Sequence, residues 1–270
     1  YIRGSGISLT ALAGDEIQFL YCAADGTIPG MAAGLDGKLI AAPLVGLPYV
    51  LLARKDIKRP EDLKGKSIGV TRPGDLSYRL SRALLKKFNF TEDEVKLRPI
   101  GGSQSERYNA MAQDIIQAII VTPPLDVRGL RDGFNLIYKL NDLNLPFIYS
   151  SLHTNSKSLQ ERPQLVQRFV AAMAESVVFV EKNPDKAKAS VSKALKLKDP
   201  EALQSSYDAY AKAIINRRML VPGDQVADAV ELAKAETTVR KKANEIYDNR
   251  FAEDLEKSGF LKEIWGGKVP

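Results

Sequence analysis

Short, almost wholly apolar runs broken by glycine, proline and acidic turns set the rhythm of the first half of the chain, and helical periodicity takes over in the second. Ile17–Ala23, Leu39–Leu44, Tyr49–Ala53, Ser67–Thr71 and Ile115–Val121 are apolar stretches of strand length. Such runs fit strands covered on both faces, as in the parallel sheets of α/β proteins. Glu94–Ile100 alternates instead, and Asn135–Leu140 and Phe147–Ser151 complete the predicted strands. Between them Ser8–Gly14, the glycine- and alanine-rich stretch up to Leu35, Leu76–Phe88 and the segment from Ser103 to Met111 read as helices. From Pro163 onward Val166, Phe169, Val170, Met173, Val177 and Val180 recur at three and four residues. Asn183-Pro184 and Asp199-Pro200 each pair a cap with a helix-starting proline. Leu203–Ile215, Val226–Ala243 and one short helix within Asn249–Trp265 are expected to follow.

Two segments repeat one plan. Ile2-Arg3-Gly4-Ser5 followed by Ala11 to Leu20 resembles Ile100-Gly101-Gly102-Ser103 followed by Ala110 to Ile119. Each copy reads strand end, glycine-serine turn, helix and apolar strand. Any two αβ units share that outline, but the Ile-Gln pair that opens each apolar strand, Ile17-Gln18 and Ile116-Gln117, is more specific. Two lobes of one design are predicted.

The stretch Asp56–Ser77 opens the second lobe. Arg59-Pro60-Glu61-Asp62 puts proline at a first helical position with acids in the first turn, and Gly65 stops that turn. After the strand, Pro73-Gly74-Asp75 breaks the chain and sets Asp75 to cap the next helix. A strand, a glycine turn and a helix N-terminus with unsatisfied N–H groups make a holder for a small group.

Composition narrows the chemistry. The 270 residues are 44% hydrophobic and 27% charged, as in soluble globular proteins. No run reaches the roughly 18 apolar residues of a membrane span. The net charge of +6 comes mainly from lysines such as Lys182, Lys186, Lys193 and Lys196, at the spacing of a solvated helix face, so no nucleic-acid partner is expected. Cys22 is the only cysteine and His153 the only histidine. An intramolecular disulfide, a multi-cysteine metal site and a histidine-pair metal site are thereby excluded, and no cofactor or metal is predicted. Cys22, inside an apolar run, reads as a structural thiol. The chain opens on Tyr1-Ile2-Arg3 as though partway along a strand, so further sequence, including any targeting signal, is expected upstream.

Several segments resemble the substrate-binding proteins of ABC importers, in the family that takes up sulfonates, taurine, nitrate and thiamine-pyrimidine precursors and that includes thiamine-pyrimidine synthases. They are DIKRPEDLKGKSIGV (Asp56–Val70), TRPGDLSYRLSRALLKKF (Thr71–Phe88), GGSQSERYNAM (Gly101–Met111), QAIIVTPPLD (Gln117–Asp126) and LEKSGF (Leu255–Phe260). Two departures stand out. The family's usual first strand and helix have no counterpart here, and Gly74-Asp75 stands where relatives carry a small Gly-Ser pair. The resemblance implies a type II periplasmic-binding fold, α/β and two-lobed, each lobe a mostly parallel sheet flanked by helices, with a helical C-terminal region. Two crossing strands, Tyr49–Ala53 and Phe147–Ser151, would join residues 1–53 plus 147–270 to residues 54–146. It also implies a monomeric periplasmic or lipid-anchored extracytoplasmic receptor that delivers a small molecule to an ABC permease. An enzyme on the same fold and a ligand-sensing partner of a membrane kinase are the alternatives. The synthase expects clustered cysteines and a reactive cleft histidine, which one Cys and His153 do not match.

The ligand is expected between the lobes, at the carboxyl ends of strands. The residues that should line that cleft are Ser5, Gly6, Asp25, Thr27, Arg72, Gly74, Asp75, Ser77, Gly102, Ser103 and Thr122. Helix starts after Ser5, Gly74 and Gly102 suit a carboxylate or sulfonate, and Arg72 could add a bidentate partner. Each has a plainer reading: the serines and Asp75 as helix caps, Arg72 as a surface residue paired with Asp75, Thr122 as a strand end. Tyr49, Tyr78, Tyr108 and Tyr149 are candidate aromatic walls.

Overall fold

A computed structural model describes residues 5–73, 75–145, 147–235 and 237–267. The elements begin with α1 (Ser5–Ala13), β1 (Phe19–Cys22), α2 (Ile28–Ala32), β2 (Lys38–Val45), β3 (Val50–Ala53), β4 (Ser67–Val70) and α3 (Leu76–Lys87). Next come β5 (Lys96–Pro99), α4 (Gln104–Ala112), β6 (Ala118–Val121), α5 (Leu125–Arg131), β7 (Asn135–Lys139) and β8 (Ile148–Thr154). The remainder is helical: α6 (Ser156–Glu161), α7 (Pro163–Lys182), α8 (Pro184–Leu195), α9 (Pro200–Tyr207), α10 (Gly223–Ala233), α11 (Arg250–Lys257) and α12 (Phe260–Ile264). The expected strand end at Ile2–Gly4 lies outside the described residues.

The chain divides into two units, one of Tyr1–Gly46, Pro146–Ala187 and Ile214–Pro270, the other of Leu47–Leu145 and Lys188–Ala213. In the first, β8 lies between β1 and β2 and runs antiparallel to both, so β1 and β2 share a direction. Leu39 and Ala42 of β2 pack against α1, α2 and α10 through Leu9, Leu12, Met31 and Val226, while Ile40 and Ala41 face Val166, Val170 and Phe251 of α7 and α11. Burial on both faces is why this strand reads as an unbroken apolar run, each fully buried Leu or Ile contributing about 2 kcal/mol.

In the second unit the strand order is β5-β4-β6-β3-β7. β4 pairs in parallel with β5 and β6, and β3 runs antiparallel between β6 and β7. The expected parallel pairing therefore joins β4, β5 and β6, while β3 and β8, the strands named as crossings, run against their neighbours. The repeat is physical as well: Asp15 and Asp114, each just past the end of the helix in its copy, adopt left-handed φ of 61° and 62°. The following glutamines turn back on them, Gln18 Nε2 to the Asp15 carbonyl at 3.3 Å and Gln117 Nε2 to Asp114 Oδ1 at 3.4 Å.

The helical half departs from expectation at definite points. Residues 188–213 pack with the second unit rather than with the chain ends, because Arg131 clasps Asp199 and Glu201 and the Ser205 hydroxyl donates to Asp126 at 2.6 Å. The helix expected over Val226–Ala243 stops at Ala233. Beyond it the β-branched run Thr237-Thr238-Val239 leads to Arg240 and Lys241, whose backbone N–H groups donate to the Ala32 carbonyl at 2.7 and 3.0 Å. The single C-terminal helix is two, α11 and α12, divided at Gly259. Helices α5 and α6 were not foreseen.

Candidate functional site

Because β4, β5 and β6 are parallel, their carboxyl ends bring Thr71, Gly101-Gly102 and Thr122 to one edge of the second unit's sheet. The antiparallel β3 begins there, with Val50 opposite Val121 and Tyr49 just before it. Helices α3 and α4 start from the same edge. Asp75 caps α3, its Oδ1 accepting from the Tyr78 N–H at 3.1 Å and the Ser77 hydroxyl at 2.8 Å. Ser77 Oγ also accepts from the Thr71 N–H at 2.9 Å, which ties the end of β4 to the helix. On α4, Ser103 Oγ accepts from the Glu106 N–H at 3.3 Å, and the Glu106 carboxylate accepts in return from the Ser103 N–H. That return contact holds the Glu106 carboxyl below its ordinary range. Gly102, at φ +63°, leaves room for it: a Cβ there would lie 2.2 Å from Glu106 Oε2.

The N-termini expected to be open to an anion are thus partly occupied by the chain's own side chains. Asp75 acts as the cap of its plainer reading, and the ion pair with Arg72 is not formed; Arg72 is exposed and its side chain engages none of the described residues. Thr122 donates both its N–H and its hydroxyl to Gln104 Oε1, at 2.9 and 3.2 Å. Gly74 lies outside the described residues. Replacing Asp75 with alanine should cost about 1 kcal/mol of stability, read as a lower urea midpoint, with asparagine restoring most of it.

Arg107 is a buried charge at this edge that the sequence did not disclose. It is only 5% exposed. Its Nη1 donates to Thr71 Oγ1 at 2.7 Å and to the Gly102 carbonyl at 3.0 Å, while its buried Nε has no partner among the described residues. Burial lowers the guanidinium pKa from its ordinary value, and Asp75, Glu106 and Tyr49 act on its charge in the opposite direction. The signal lay in helical spacing: Arg107 shares the buried stripe of α4 with Ala110 and Met111. Of the candidate aromatic walls in this unit, Tyr108 is fully buried with its hydroxyl donating to Asp132, and Tyr78 turns to Glu92.

In the first unit the edge at the end of β1 gathers Ser5, Gly6, Tyr21, Cys22 and Asp25. The Cys22 thiol donates to the Ala23 carbonyl at 3.5 Å, and burial pushes its pKa up to about 11 against the opposing effect of Ser5, so sulfur stays protonated at neutral pH. Tyr21, half exposed, meets Ser150 Oγ at 2.7 Å. Thr27 departs from the cleft-lining expectation. It is completely buried, its hydroxyl donating to the Ala24 carbonyl at 3.0 Å and lying 2.9 Å from His153 Nε2. His153 is itself fully buried, with Nδ1 3.2 Å from the Leu20 carbonyl, and burial lowers its pKa to about 4. A neutral imidazole donating from Nδ1 to the Leu20 carbonyl leaves Nε2 to accept from the Ser151 hydroxyl 3.3 Å away, with Thr27 packed beside it, so His153 joins β1, β8 and the start of α2.

Solved structures share this architecture. The periplasmic aliphatic sulfonate binding protein SsuA from Escherichia coli is 18% identical and matches with a TM-score of 0.71 over 87% of this chain and 74% of that one. The periplasmic sulfonate-binding protein SsuA of a sulfonate ABC transporter from Methylobacillus flagellatus KT, also 18% identical, gives 0.73 over 97% and 81%. A cysteine-to-serine mutant of DSZB in complex with biphenyl-2-sulfinic acid, 16% identical, gives 0.70 over 94% and 90%. The fold is that of the periplasmic binding proteins. The chain belongs to the NMT1/THI5-like family, whose family model matches residues 7–187. No curated protein sequence matches it.

Proposed function

We propose that this protein is an extracytoplasmic solute receptor that captures a small oxyanion-bearing molecule, such as a sulfonate or carboxylate, and delivers it to an ABC importer. What carries the reading is the gathering, in each unit, of hydroxyls, backbone N–H groups and, in the second, two arginines at the carboxyl ends of co-directional strands, in a member of this family. The same fold carries the DSZB enzyme, which keeps an enzymatic reading as the alternative. Two residues that an enzyme would recruit argue against it: His153 is enclosed and neutral, and the Cys22 thiol is held protonated.

The purified protein should gain thermal stability with one chemical class from a panel of alkanesulfonates, arylsulfonates, short carboxylates, nitrate and sulfate, since a ligand that binds only the native state raises Tm. A flat panel together with turnover of a sulfinate would replace the receptor by the enzyme.

A further inference from the structure

Arginine has five N–H donors in a planar fork, and in Arg107 they divide into two sets. The Nη1 edge fixes the side chain through Thr71 and the Gly102 carbonyl. The opposite edge, formed by Nε and Nη2, donates to none of the described residues, and Nε is buried. A buried guanidinium with unmade hydrogen bonds is destabilising unless something completes it. Nε with Nη2 is one of the two edges on which a guanidinium grips an oxyanion with paired bonds.

Its surroundings fix the geometry and the charge. Thr71 Oγ1 lies 3.3 Å from Ser77 Oγ, and Ser77 donates to Asp75, so a polar chain runs from the cap of α3 to the guanidinium. The carboxylates of Asp75 and Glu106 both act on Arg107. Each already serves as a helix-capping acceptor, and neither makes a paired ion bridge with Arg107 among the described residues. One cation between two carboxylates is a poor host for a second full negative charge, because Coulomb repulsion grows with every charge added.

We propose that Arg107 is the residue that holds the solute's acidic group, through its Nε–Nη2 edge, and that this set selects a monoanionic head group over a dianionic one. The assignment rests on the receptor reading and adds the contact and the charge class. It places the oxyanion on a residue outside the expected cleft-lining set, with exposed Arg72 in a subordinate place.

Calorimetric titration of the full chain with methanesulfonate, butanesulfonate and inorganic sulfate tests it. Butanesulfonate should bind more tightly than sulfate, which shares the tetrahedral head but carries a second charge. Arg107→Lys, which keeps the charge and loses the fork, should weaken butanesulfonate at least about tenfold, and Arg107→Gln should weaken it further. Because Gln also removes an anchor of the Gly102 turn, the wild-type protein is examined by NMR in parallel, where the Arg107 Nε–H resonance should shift on adding butanesulfonate. Equal affinity in wild type and Arg107→Lys with an unmoved Nε–H overturns the assignment and leaves the receptor reading standing. Sulfate binding as tightly as butanesulfonate overturns the monoanion selection. Failure of every sulfonate and carboxylate to bind the wild-type protein removes the oxyanion receptor and the Arg107 contact together.

Discussion

Lowering the pH from 7 to 4 should remove up to about 3 kcal/mol of stability through His153 alone. Its folded pKa, about 4, lies below the ordinary 6.5 because the ring is wholly enclosed. The unfolded chain therefore takes up the proton first. The histidine's full contribution is present above about pH 6.5 and is lost progressively as the pH falls toward 4. The window above pH 5 belongs to His153, because it is the only histidine, and Asp15, Asp62, Glu94 and Glu106 are held below ordinary carboxylate values. Urea midpoints at pH 7.5, 6, 5 and 4.5 would display the fall. His153→Gln should start less stable, having lost the fit to the Leu20 carbonyl and Thr27, but should show a much flatter profile over the same range. A wild-type profile as flat as that of the variant would contradict the enclosed, neutral imidazole.

Leu52→Ala should cost the second unit about 3 kcal/mol or more. Leu52 is fully buried on β3, opposite Ile119 of β6 and Leu136 of β7. Helix α5 comes down on it at Gly129, where an added Cβ would lie only 2.3 Å from Leu52 Cδ2. The backbone of α5 rests on the leucine with no side chain of its own at that point, so the cavity left by truncation has no neighbour to fill it. Hydrogen exchange at the β4 and β6 amides should report the loss. Fluorescence of Trp265, the only tryptophan, follows the first unit and should move much less. A cost below 1 kcal/mol would mean that α5 collapses into the space.

Much of this was legible in the chain because burial on two faces leaves unbroken apolar runs. Ser67–Val70 and Ala118–Val121 are buried at every position, and both were readable as strands. The repeat was readable because its two copies share the pattern that produces matching left-handed turns at Asp15 and Asp114. Asp75 was correctly open to a capping role, since proline and glycine before it announce the helix start. Length failed where tertiary contacts overrode helical propensity, as beyond Ala233, where the chain leaves α10 to bond Ala32. Helix α5 was hidden behind Pro123-Pro124, which reads as a strand terminator. Thr27 was misplaced because a loop threonine gives no sign of a histidine waiting on another strand. Arg107 was passed over for the opposite reason: a charge is assigned to solvent by default, and only its spacing from Ala110 and Met111 pointed inward.

The path of residues 188–213 bears on how the protein is made. The chain passes from one unit to the other four times, and the last return to the second unit comes after most of the first has been written. Until Asp199, Glu201 and Ser205 have emerged from the ribosome, Arg131 and Asp126 on α5 lack their partners. A nascent chain halted between β8 and α9 would therefore hold a sheet whose α5 flank is still bare. No single cut yields either unit whole, so an isolated second unit requires residues 47–145 and 188–213 joined by a designed link.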